Sequence, residues 1–308
     1  VGVWRIVGVC SDGMWHVDAL RSGTAPVNQY STQVLGQRLA YVDEGSGTPV
    51  VFVHAGLGSK SMWLHSIGHL RERFRCVAVD LPGTGGSADV VGRGPQPFSV
   101  TDLRNYLESF IEVVNVEPPV TLIAHGLGSM VALDLAATKP SILRALCLLE
   151  GIPGPRRIDD FSEPFKSTLT SVLTPSGKSE FLWQRRGLDS LVGALTMSSI
   201  PPSWAEEQLR ELRANRRGLV ALLNQIPLTD RPDRTMERAI RSVEWIISTD
   251  IPTMRILGKP GLFRSVADDS EAEWFDRTVE VTGRHLLTED SPDGVALLLK
   301  SWLLGSAA

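Results

Sequence analysis

The stretch VTLIAHGLGSMVALDLAA, Val120 to Ala137, decides how the chain is read. Val120 to Ile123 is a β-branched, apolar run of the kind that forms a buried strand. Small residues follow at once, and a helical pattern begins. The chain therefore turns sharply from strand to helix at Gly126, a position that projects whatever side chain it carries. Glycine carries none, so nothing at this turn can act as a nucleophile.

Working outward, PVVFVHAGLG (Pro49 to Gly58), RCVAVDLPGTGGS (Arg75 to Ser87) and LRALCLLEG (Leu143 to Gly151) are further buried strands that run into loops. Helical patterns separate them. Trp63, Ile67, Leu70 and Phe74 recur at three- and four-residue spacing, and residues 99–114 form an amphipathic helix with Ser99 as N-cap and Asp102 three residues on. STQVLGQRLAYVDE (31–44) reads as two short strands around Gly36. Continuous apolar strands alternating with helices predict an α/β fold with a mostly parallel sheet covered on both faces.

Residues 152–248 break the alternation with helical segments such as WAEEQLRELRANRRGLVALL, and with Trp183, Trp204 and Trp245. Alternation resumes at IPTMRILGKPG (251–261), a helix over 271–278, a strand-like TVEVTGRH and a last helix over 293–304. The expected organisation is an N-terminal extension (1–30) of uncertain order, a core domain made of 31–151 and 249–308, and a helical cap (152–248).

The chain has 308 residues, 43% of them apolar and 21% charged, enough for a sizeable core. Its net charge of −4, with Lys and Arg scattered, gives no footprint for nucleic acid. No apolar run approaches the roughly 18 residues that a membrane span needs, and VGVWRIVGVC lacks the basic leader of a signal peptide. Cys76 and Cys147 lie in apolar strands, as reduced buried thiols would. A cytoplasmic setting is expected, with no membrane or nucleic-acid partner; a homodimer stays open.

Three loops at the carboxyl ends of strands, where open α/β sheets bind ligands, carry the chemistry: HAGLG from His54, the turn at Gly126, and the loop of His285 in GRHLLTEDSPD. With DLPGTGGS, this order resembles the α/β-hydrolase fold. Within it, IAHGLGSMVALDLA, LCLLEGI, NQIPLTDRPDRTMERAIRSVEWI, DIPTMRILGKPGLF and GRHLLTEDSPD look like segments of the haloalkane dehalogenases and their epoxide-hydrolase sister group.

The resemblance implies that His285 is a general base and Glu150 its acid partner. It also places the family's nucleophilic Asp at Gly126, and the two halide-binding side chains at Leu127 and Gly56. Halide displacement through a covalent alkyl-enzyme is not expected from such a site. The tyrosines by which epoxide hydrolases polarise their substrate are also missing from 152–248, since the only tyrosines are Tyr30, Tyr41 and Tyr106.

His285 paired with Glu150 is therefore expected to move a proton on a bound substrate, while backbone amides near Ala55, Gly56 and Leu127 stabilise an oxyanion. Michael-type addition, carbon–carbon bond formation, cyclisation, isomerisation or elimination would suit such a site, on a hydrophobic, carbonyl-activated or aromatic molecule of specialised metabolism. Trp183, Trp204 and Trp245 would line the pocket from the cap. Two alternatives stay open: hydrolysis by a water occupying the space at Gly126, and a catalytically silent binding protein.

His125 is expected to orient a loop, and His54 to hold the first loop. His65 and His69, one helical turn apart, have no third ligand nearby in sequence and read as a solvated face. No cofactor motif and no metal site are expected.

Overall fold

A computed structural model of the protein describes residues 5–9, 15–18, 27–56, 58–87, 98–151, 153–161, 235–261 and 270–306, with single positions between 163 and 230. Ten strands form one sheet: β1 (Arg5–Val9), β2 (Trp15–Asp18), β3 (Val27–Val34), β4 (Gln37–Glu44), β5 (Thr48–Val53), β6 (Phe74–Val79), β7 (Val120–His125), β8 (Leu143–Leu149), β9 (Thr253–Lys259) and β10 (Arg277–Thr282). Their order is β1-β2-β3-β4-β6-β5-β7-β8-β9-β10. The first four are antiparallel, and β6 onward pair in parallel.

Parallel strands need crossovers, and α1 (Leu64–Leu70), α2 (Val100–Val113), α3 (Leu127–Thr138) and α4 (Thr235–Ser248) lie in them, while α5 (Leu287–Asp290) and α6 (Pro292–Ser306) follow the last strand. Every residue of β7 is buried, as a strand covered on both faces requires. Residues 128–136 of α3 are buried too, which fixes this helix against the sheet directly behind the Gly126 turn.

Several boundaries differ from the sequence expectation. The β3–β4 hairpin begins at Val27, and Leu35 and Gly36 both take positive φ (46° and 79°), the two-residue turn whose twist suits paired strands. The sheet continues into the N-terminal segment through β1 and β2. Phe74 opens β6 instead of closing α1, because apolar spacing cannot tell a helix end from the strand that follows it. Residues 270–274 form only a 3-10 turn, and β10 starts at Arg277. Ser99 caps α2 through a full capping box with Asp102, as the sequence indicates.

Cys76 and Cys147 are free and buried, and burial pushes the Cys76 thiol up to about 12. Most of 152–248, including Trp183 and Trp204, lies outside the described residues. Trp245, on α4, packs half-buried against the core. Among the described residues, no helix is long and apolar enough to cross a membrane.

Candidate functional site

The site is built where β5, β7, β8 and the segment after β10 end together. Gly126 caps α3 at φ 53°, ψ −121°, a combination that glycine adopts freely and that costs other residues about 1–3 kcal/mol. Its amide donates to the Leu149 carbonyl at 2.8 Å, pinning the turn to the end of β8. The next residue on that strand end is Glu150, itself at φ 47° and 1% exposed.

Glu150 is held at both ends. Its amide donates to the Ile256 carbonyl (2.9 Å), and its Oε1 accepts from the Gly258 amide (2.7 Å). The other oxygen, Oε2, stands 3.7 Å from Nδ1 of His285. A buried carboxylate at that distance can orient the imidazole ring. Gly258 is absent from the sequence-derived site; the sharp LGKPG loop was its only signal. A Cβ there would meet the Gly283 and Arg284 carbonyls at 2.5 Å, so only glycine lets β9 approach the His285 loop.

His285 is positioned by its backbone. His125 Nε2 donates to its carbonyl at 2.6 Å, and the neighbouring Arg284 amide donates to Asp290 Oδ2 at 2.8 Å. The His125 ring is therefore a loop anchor, neutral and fully buried. Burial, reinforced by the charge of His285, pushes its pKa down to about 3. His54 is likewise a neutral anchor, its pKa lowered chiefly by burial. Its Nε2 accepts from the Leu81 amide (3.1 Å), so Nδ1 carries the proton and donates to the Ala55 carbonyl (2.7 Å). A buried Lys60–Asp80 pair (2.6 Å) ties the same loop to residues 80–86.

Two close approaches define the floor. A Cβ on Gly126 would stand 2.7 Å from both Cε1 and Nε2 of His285, and 3.4 Å from the Ala55 methyl. The imidazole thus fills the place where an elbow side chain would project. The ring thus borders the space in which the hydrolytic alternative would seat a water. A Cβ on Gly56 would likewise stand 2.4 Å from Leu127 Cδ1, so the leucine lies across the bare glycine.

These two positions form one packing unit. Gly56→Ala is expected to destabilise the fold, and Leu127→Ala in the same chain to recover part of the loss. The coupling should be about 0.5–3 kcal/mol in a urea-denaturation cycle, whereas independent sites would add.

Of the expected oxyanion donors, the Ala55 amide is turned to the Met62 sulfur at 3.4 Å and serves the loop's own packing. Leu127 lies across Gly56, one residue from the Gly126 turn, and opens α3, whose N-terminal end favours negative charge. Ala55, Gly56, His125, Gly126, Leu127, Glu150 and His285 are thus brought together; of the three tryptophans expected to line the pocket, Trp245 alone is among the described residues, and it packs against the core.

A model of the family described as "Alpha/beta hydrolase family" matches residues 50–296. A haloalkane dehalogenase of Mycolicibacterium smegmatis is 25% identical over 88% of this chain and 89% of its own length. One from Sphingobium indicum is 26% identical over 88% and 93%. The crystal structure of a haloalkane dehalogenase from Bradyrhizobium elkani superposes with a TM-score of 0.81 at 22% identity, covering 91% of this chain and 99% of that one. A variant of that enzyme reaches 0.82 over 92% and 98% at 22% identity. At such identity the solved structures speak for the fold.

Proposed function

The chain belongs to the Alpha/beta hydrolase family, and from that premise we propose that it is an enzyme in which His285, oriented by Glu150, acts directly on the substrate as a general base and then a general acid, with no covalent intermediate at the turn. One observation carries this reading: the imidazole edge occupies the position of an elbow side chain, 2.7 Å from where its Cβ would be. A reacting carbon or oxygen placed over Gly126 would meet Nε2 first.

The reaction class follows from what the site can supply. A base takes a proton from a carbonyl-activated carbon or a hydroxyl; the negative charge that develops falls to the Gly56 and Leu127 amides and the α3 terminus; the same imidazolium returns the proton elsewhere on the molecule. Isomerisation, elimination, cyclisation and Michael-type addition all fit that sequence. Proton transfer of this kind supplies about 100- to 10,000-fold, enough for an intrinsically reactive substrate. The aliphatic wall of Leu127 over Gly56 suits a hydrophobic small molecule better than a halide.

A second reading is hydrolysis by a water that His285 activates above its ring. The family match and the dehalogenase relatives favour it. Turnover in water enriched in oxygen-18 separates the two readings, using a panel of activated carbonyl compounds, epoxides, esters and haloalkanes. Direct acid–base chemistry gives a product with no heavy oxygen in any alcohol or acid. Heavy oxygen in such a product would favour hydrolysis, whereas halide released without it would mark elimination.

A further inference from the structure

We propose that His65, His69 and Asp293 form a binding site for a divalent transition metal of the zinc class, which clamps α1 to the start of α6 behind the His285 loop. In sequence the two histidines are isolated from any third ligand. The fold removes that objection, because α1 packs along α6 and brings Asp293, 224 residues beyond His69, onto the histidine face.

His65 Nε2 lies 2.7 Å from Asp293 Oδ1, the two imidazoles sit 5.0 Å apart between ring centres, and one ligand atom from each of the three residues falls within 4.8 Å of the others. Around a tetrahedral zinc with bonds near 2.0–2.1 Å, ligand atoms sit about 3.4 Å apart. The carboxylate must therefore open slightly from His65 and the His69 ring must close in. Both are side-chain rotations at a half-exposed surface, and the two helices need not move. Asp293 is 77% exposed at its side chain, which leaves the remaining coordination positions to water.

The donor set selects the metal. Two neutral imidazoles and one carboxylate suit zinc, copper or nickel, whereas magnesium and calcium prefer oxygen alone.

The location gives the site a consequence. Asp293 stands eight residues after His285, on the helix that follows α5. On the other side, α1 continues from the 3-10 turn Lys60–Trp63, whose Trp63 ring lies edge-on to His125 at 6.2 Å. An ion joining the helices ties together the segments that carry the base and its anchor. None of the three residues touches the reacting position, so the inference stands apart from the proposed reaction.

The untagged full chain, stripped with chelator, is titrated with zinc chloride by calorimetry and then melted with and without zinc. One equivalent is expected to bind with low-micromolar affinity and to raise the melting temperature reversibly, and magnesium should do neither. His69→Gln and Asp293→Asn, both surface substitutions, should each weaken binding at least tenfold and abolish the thermal shift. Failure to saturate at submillimolar zinc would overturn the site. So would binding that both variants retain, which would place the ion elsewhere.

Discussion

Gly126→Asp is expected to cost about 1–3 kcal/mol of stability and to release no halide from any haloalkane. The first effect is conformational, because φ 53° with ψ −121° is open to glycine and strained for aspartate. Collision adds to it: the new Cβ would lie 2.7 Å from two atoms of the His285 ring, closer than carbon atoms pack. The ring would have to shift to make room. The catalytic expectation follows from the neighbours, since Leu127 already lies across Gly56 and no polar side chain at either position can receive a leaving halide. Urea denaturation and a halide-release assay read the two effects. Rapid halide release with unchanged stability would mean that a working displacement site had lost only its nucleophile.

Acid is expected to destabilise the protein steeply, and His125 is the reason. In the unfolded chain the ring takes up its proton near pH 6.5, the ordinary histidine value; in the fold it stays neutral down to about pH 3. Below pH 6.5 the unfolded state therefore binds the extra proton, and stability falls as pH drops through the window from 6.5 to 3. The slope approaches 1.4 kcal/mol per pH unit, so His125 alone should remove about 2–3 kcal/mol by pH 4.5. Buried His54, shifted in the same direction, steepens the loss. His125→Gln keeps a donor for the His285 carbonyl but cannot titrate, and its stability should vary less over this window. Equal pH dependence in the wild type and this variant would mean that His125 is protonated in the fold.

What the sequence makes legible are the features encoded locally. The continuous apolar run of β7, the capping box of α2 and the turn at Gly126 each lie within a dozen residues, and each stands where the pattern puts it. Glu150, at a strand end, and His285, in a late loop, are singled out by the resemblance to the α/β-hydrolase fold, and the structure sets them 3.7 Å apart. Relations across the fold are not legible. That His285 fills the place over Gly126 depends on a contact between residues 159 apart in the chain, and that Leu127 covers Gly56 depends on two loops that meet only when β5 and β7 pair. Asp293 joins the two histidines through helix packing, which periodicity does not encode. The glycines that appear in sequence only as absent side chains are, in the fold, the surfaces on which other side chains rest.

The central claim is that His285 works as the base over a bare turn. The measurement that tests it most directly is the turnover rate of His285→Ala beside wild type on one substrate from the panel, both proteins first shown to be folded. A loss of about 100- to 10,000-fold is expected. Equal rates would contradict it.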